Sequence, residues 1–163
     1  MAGVSTALVH YHFKDRAGLV QRTLAFISDR ATGCTDEALR GTEDARAALL
    51  HLLLGELQDT PAGRETSTAW GELRSSALFA GDLRAALAHS TASWPQDVTE
   101  CVSDAQAAGL ADVRAVAADT AERLTALVEG RRGRRLSGSL TLERARELLA
   151  GAFDAELGPH PEQ

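Results

Sequence analysis

The run Leu49-Leu50-His51-Leu52-Leu53-Leu54-Gly55-Glu56-Leu57 limits the fold more than any other stretch of the chain. At 3.6 residues per turn these leucines make a helix over residues 45–57 that is apolar nearly all round. A helix of that kind belongs at the centre of a bundle, covered by its neighbours. Thr42 is its N-cap candidate, with Glu43 and Asp44 placed to complement the helix dipole.

The remaining sequence supplies helices to cover it. Asp59-Thr60-Pro61-Ala62-Gly63 reads as a loop, and residues 64–80 as a helix whose apolar side is Trp70, Leu73, Ala77 and Leu78. Gly81 breaks the pattern and Asp82 caps a helix over residues 82–108, along Leu83, Leu87, Trp94, Val98, Val102 and Ala105. Pro95 within it predicts a kink or a second segment, and Gly109 ends it. Asp112 is the cap of a helix over residues 113–129 with Val113, Val116, Thr120, Leu124, Leu127 and Val128 in one stripe. Thr141 caps the last helix, residues 141–157, whose stripe is Leu142, Ala145, Leu149, Ala152 and Phe153. Arg144 stands where a capping box would put Glu or Gln. Upstream, residues 17–31 read as a helix apolar on two sides, and the chain from Gly158 is expected to be a frayed tail.

No segment shows strand alternation, and four prolines in 163 residues with abundant Ala, Leu, Arg and Glu favour an all-α protein. A hydrophobic content of 44% is enough for one globular domain with a sizeable core. No apolar run approaches the ~18–20 residues that span a bilayer, and no signal-peptide pattern opens the chain. The expected location is the cytoplasm, with no membrane partner. Cys34 and Cys101 read as two reduced thiols rather than a disulfide or a redox pair. His10 and His12 point to different sides of a helix, so no metal site is expected there. With no nucleophile–base arrangement, metal spacing or phosphate loop, neither a cofactor nor enzymatic activity is expected; a small helical enzyme is the least favoured alternative.

Near the start, Gly3 allows a turn and Ser5 can cap a short helix through Phe13. Leu8, Val9 and Phe13 fall on its inward side, while Thr6, Ala7, His10 and Tyr11 face outward and Lys14 and Arg16 follow. Small, hydroxyl and aromatic groups trailed by cations suit a major groove; a buried helix end with a solvated basic flank is the plainer reading. Within residues 1–30, Lys14, Arg16, Arg22 and Arg30 outnumber Asp15 and Asp29, whereas the whole chain has a net charge of −6. A basic start on an acidic body fits contact with nucleic acid at one end only.

The order Ala2-Gly3-Val4-Ser5, His10-Tyr11-His12-Phe13, Lys14-Asp15-Arg16 and Leu19 resembles the end of the helix-turn-helix in TetR-family transcription regulators. The continuation Asp15-Arg16-Ala17-Gly18-Leu19 looks most like the BetI-like branch. The resemblance implies an all-α, TetR-like helical bundle. Residues 1–16 would be the remnant of a DNA-binding domain, residues 17–158 a ligand-binding and dimerisation domain, and residues 159–163 a tail. Family members carry a helix and most of a second ahead of the Ala-Gly-Val-Ser turn, so the resemblance also implies truncation within the helix-turn-helix.

The implied function is a ligand-responsive regulator, a repressor, that binds a palindromic operator as a dimer and is released by a small molecule. Thr6 and His10 would contact base edges, Ala7 would allow close approach, and Tyr11 and Lys14 would contact phosphates. Operator DNA binding would need the N-terminal helices. The alternative is a sensor and dimerisation module that does not bind DNA by itself. The homodimer would form through residues 113–129 and 141–157, where a core without dimerisation is the competing account. A pocket would lie among the four helices from residue 45 to residue 129. Trp70, Phe79 and Trp94 are its candidate aromatic walls and His51 or His89 a polar handle, against plain core roles for each. The aromatic-poor, Ala-rich body suggests an apolar ligand. Arg131, Arg132, Arg134 and Arg135 depart from the largely apolar helix of relatives and read as a solvated helix end or a dimer edge.

Overall fold

A computed structural model describes residues 44–158, with Asp82 described by its backbone alone. The expectations for Thr6, Ala7, His10, Tyr11, Lys14, Cys34, Thr42, the helix over residues 17–31 and the tail lie outside the described residues. Six helices occur among these: α1 (Ala45–Gly55), α2 (Pro61–Ala77), α3 (Gly81–Thr91), α4 (Ser93–Ala107), α5 (Ala117–Leu136) and α6 (Leu142–Leu157).

The leucine-rich helix is central. Leu49, Leu52, Leu53 and, just past its end, Leu57 are buried. Around them close Val98 and Val102 of α4, Ala121, Leu124 and Val128 of α5, and Ala145, Leu149, Phe153 and Leu157 of α6. Each fully buried leucine contributes about 1.5–3 kcal/mol over leaving it in water, so this cluster dominates stability. Asp44, not Thr42, caps α1, its Oδ1 accepting from the amides of Arg46 at 2.7 Å and Ala47 at 3.2 Å, because the helix starts only at Ala45. Thr125, buried in the core, satisfies its hydroxyl by donating back to the Ala121 carbonyl at 2.9 Å. Arg123 on α5 grips Glu156 on α6 through both carboxylate oxygens, at 2.6 and 2.8 Å, which sets these two helices antiparallel.

Several boundaries differ from the sequence reading. Pro61 opens α2 instead of lying in a loop, because the first helical position needs no amide hydrogen. Thr60 caps that helix by accepting from the Gly63 amide at 3.0 Å, and a Cβ on Gly63 would come within 3.0 Å of that hydroxyl oxygen. Ala80, not Asp82, is the N-cap of α3. The second segment expected at Pro95 is present: residues 81–107 form two helices meeting at Ala92. Pro95 lies in the first turn of α4, where its missing donor leaves no gap in a continuous ladder. Gly109 does end α4, with φ +74° and paired bonds from the Gly109 amide to Gln106 and from the Leu110 amide to Ala105.

Asp112 does not cap α5. Its carboxylate accepts instead from Arg114, at 2.9 Å from the amide and 2.8 Å from Nη2, while Gln106 Nε2 donates to the carbonyls of Asp112 and Ala115. These bonds hold residues 110–116 as a turn, and α5 starts only at Ala117. Val113 and Val116 are therefore exposed rather than part of the inward stripe. The Arg114 side chain and amide hold the Asp112 carboxyl down at about 2, against a usual value of 3.8. A depressed carboxyl stabilises the fold fully above its usual value and loses that contribution as pH falls toward its folded one. Asp112→Asn is thus expected to flatten the acid limb of the stability profile between about pH 2 and about pH 4. Urea midpoints across that range would show it, and an unchanged limb would argue against the assignment.

Cys101 is a free thiol, half-buried against the core. Burial, and then the carboxylates of Asp104, Asp97 and Glu100, push its thiol up, which keeps it protonated and poorly nucleophilic. Among the described residues no helix is long and apolar enough to cross a membrane, and no group of His, Cys, Asp and Glu is arranged to hold a metal ion.

Candidate ligand cleft

Of the four arginines after Gly130, Arg134 is exposed as a solvated helix end would have it, but Arg132 and Arg135 are drawn in. The helix runs through Gly130 and Gly133 to Leu136, where Gly138 at φ +74° stops it. The inward face of Ala121, Leu124 and Val128 continues at helical spacing to Arg132 and Arg135. Arg132 pairs with Glu56 beyond the end of α1, and Arg135 Nη1 donates to Asp59 Oδ1 at 2.7 Å. Asp59 also accepts from Arg64 at 2.8 Å. Two helix-interior glycines cost about 1 kcal/mol each relative to alanine, and these pairings offset them. The charged tip is thereby tied to the loop between α1 and α2 within the same chain.

Beside this tip α2 and α5 part to form a half-open cleft of about 350 Å³. Ser67, Trp70, Gly71 and Arg74 line it from α2, and Ala126, Glu129, Gly130, Arg132, Gly133 and Leu136 from α5. Ser67, Trp70, Gly71 and Arg74 follow the i, i+3, i+4, i+7 spacing of one helix face, as do Ala126, Glu129, Gly130 and Gly133, while Arg132 reaches the cleft from the adjoining core face. The volume lies at the lower end of the roughly 300–1,000 Å³ typical of small-molecule sites. Arg74 pairs with Glu129 across the cleft, and its guanidinium carbon lies 6.0 Å from the Trp70 ring centroid. Arg132 keeps only 17% of its side chain exposed. Burial, and then the neighbouring Arg135, lower the Arg132 guanidinium from its ordinary range. A Cβ placed on Gly71, Gly130 or Gly133 would meet no atom within 4 Å, so these glycines leave the cleft walls low and open.

Of the residues singled out from sequence, Trp70 lines this cleft. His51 is exposed on α1 and His89 is exposed in the last turn of α3. Phe79 is 91% exposed in the turn between α2 and α3, and Trp94 is partly buried against the core. None of these four is among the lining residues. Sequence reasoning passed over Arg74 and Glu129 and placed Arg132 in solvent. The available signal was the spacing from Val128 to Arg132, which continues the buried stripe.

The body is α-helical, built on one central apolar helix, with a cleft of small-molecule size between two others. Residues 45–158 match the family model of the BetI-type transcriptional repressor C-terminal domain. A solved structure described as a TetR-family transcriptional regulator from a Rhodococcus species is 43% identical. It aligns over 96% of this chain and 83% of that one, with a TM-score of 0.85. A TetR transcription regulator from Haloarcula marismortui is 25% identical over 96% of this chain and 82% of that one, with a TM-score of 0.76. A transcriptional regulator from Saccharomonospora viridis, solved with choline, shares the fold at a TM-score of 0.79 and 21% identity, over 94% of this chain and 80% of that one. No curated protein matches the sequence at a significant level. The chain belongs to the BetI-like branch of the TetR family of transcription regulators. Members of that family are regulators, not enzymes.

Proposed function

We propose that the protein is a ligand-responsive repressor acting in the cytoplasm, which binds palindromic operator DNA as a homodimer and is released by a small molecule. One observation carries this reading: a ligand-sized cleft between α2 and α5 within a repressor-type body. The ion pairs around the cleft offer a route for the response. Arg74 ties α2 to Glu129 of α5, and Arg132 ties α5 to Glu56 at the end of α1. A molecule lodged between them biases the spacing of three helices, and it shifts the population only by its difference in affinity for the two spacings.

The inward stripes of α5 and α6 are spent on the core of the chain itself, with Leu124, Val128, Leu149 and Phe153 fully buried. Pairing of two copies through residues 113–129 and 141–157 therefore uses the outer faces, where Ala118, Gly151 and Ala155 are exposed and small enough for close helix approach. At the other end, Thr6 and His10 read base edges, Ala7 permits close approach, and Tyr11 and Lys14 contact phosphates.

Selection of bound sequences from a random DNA pool tests this reading. It should enrich a two-fold-symmetric site with half-sites about one helical turn apart, and absence of any enriched symmetric site would count against it. Lys14→Ala should weaken binding to all sequences alike and lower the slope of log affinity against log salt by about one. Fluorescence anisotropy at several salt concentrations reads this directly, and an unchanged slope removes Lys14 from the phosphate contacts.

A further inference from the structure

We propose that the α2–α5 cleft takes a small monoanionic organic carboxylate with a flat apolar body, held by Arg132 and Arg74 beside Trp70. The inference rests on this cleft being the ligand site. Among the described lining residues two are cations, Arg74 and Arg132, one is an anion, Glu129, and one is aromatic, Trp70. That set fits a quaternary ammonium poorly, since such ligands take several aromatic faces and no competing cation. Here the one aromatic ring already has the Arg74 guanidinium 6.0 Å from its centroid.

Arg132 is mostly buried, and its Nε–H is buried without a partner while Nη2 donates to Glu56. The Nε itself is shut off from the cleft, but the exposed part of the guanidinium lines it, and there a carboxylate can accept from the edge that Glu56 leaves free. Glu129 and Glu56 already balance the two arginines, so the site has no spare positive charge to offset a dianion such as a phosphate ester. The apolar part finds room at Gly71, Gly130 and Gly133, where even a Cβ meets nothing within 4 Å.

Titration calorimetry of the full chain with benzoate, benzamide, phenyl phosphate and choline tests the assignment. Benzoate should bind at least about tenfold more tightly than benzamide, which has the same shape without the charge. Phenyl phosphate should bind more weakly than benzoate, and choline should not bind. Arg132→Gln should weaken benzoate about tenfold or more, and Gly133→Leu should block it by bulk. Glu129→Gln, at a partly exposed surface pair that does not threaten folding, should tighten benzoate by freeing Arg74. If benzamide or choline binds as well as benzoate and Gly133→Leu blocks it, the cleft stands as the ligand site and the carboxylate assignment falls. Tighter binding of phenyl phosphate overturns the monoanion assignment. Benzoate binding that Gly133→Leu leaves unchanged places the ligand elsewhere and overturns both readings. No benzoate binding up to about 10 mM overturns the proposal outright.

Discussion

Arg46→Ala is expected to lower the free energy of unfolding by about 2–4 kcal/mol. Arg46 is a cation in the first turn of α1, and only 3% of it is exposed. Its Nη1 donates to the Leu110 carbonyl at 3.1 Å, and its Nη2 donates to the Gly158 carbonyl at 2.8 Å and to Asp154 Oδ1 at 2.9 Å. The Leu157 carbonyl lies 3.5 Å from Nη1. One side chain thus joins the start of α1 to the residues after α4 and to the end of α6. The carbonyls it satisfies at the end of α6 have no partner within their own helix, and a cation there also suits the helix dipole. Alanine would take this donor from the partly buried Leu110 and Gly158 carbonyls, leave the Leu157 carbonyl with the Asp112 amide alone, and open a void beside Phe153. Urea unfolding followed by circular dichroism measures the loss. Asp154→Asn should cost only about 1 kcal/mol or less, because that carboxylate is 70% exposed and the backbone carbonyls still hold the guanidinium. A loss below about 1 kcal/mol for Arg46→Ala would show that the clasp is incidental.

Phe153→Ala should be comparably damaging, at about 3–5 kcal/mol. Phe153 heads the fully buried side chains by volume and sits on α6, in the cluster shared with α1, α4 and α5. Its ring also carries the Arg46 guanidinium, whose central carbon lies 5.2 Å from the centroid. The two substitutions should therefore not add. A double-mutant cycle is expected to give a coupling of about 0.5–3 kcal/mol, the double variant losing less than the sum of the singles. Phe79→Ala provides the contrast: that ring is 91% exposed and its removal should change stability by no more than about 0.5 kcal/mol. Equal losses for the two phenylalanines would mean that this packing is wrong.

Phe153 follows a clean stripe through Ala145 and Leu149, so its burial was legible. Phe79 lies off the stripe of Trp70, Leu73 and Ala77; Leu78, expected on that apolar side, is exposed with it because α2 ends at Ala77. Val113 and Val116 fail for the same reason. Their spacing is helical, but bonds from Gln106, together with the Asp112 amide donating to the Leu157 carbonyl at 2.8 Å, hold that segment as a turn.

The sequence by itself determined the all-α class, the central position of the leucine-rich helix and the inward faces of α4, α5 and α6. It also determined the stop at Gly109 and the cap at Thr141, whose hydroxyl accepts from the Arg144 amide at 3.2 Å. These features rest on periodicity, capping and backbone conformation, which act over a few residues and can be read along a line. Only the tertiary structure decided that Arg46 is a buried clasp, that Arg132 and Arg135 extend α5 past two glycines, and that α2 and α5 part beside them. The partners of those arginines lie far away in the chain: Leu110 and Gly158 for Arg46, Glu56 for Arg132, Asp59 for Arg135. A charge becomes a core or cleft residue only when folding brings its acceptors to it, because burial without them would cost several kcal/mol.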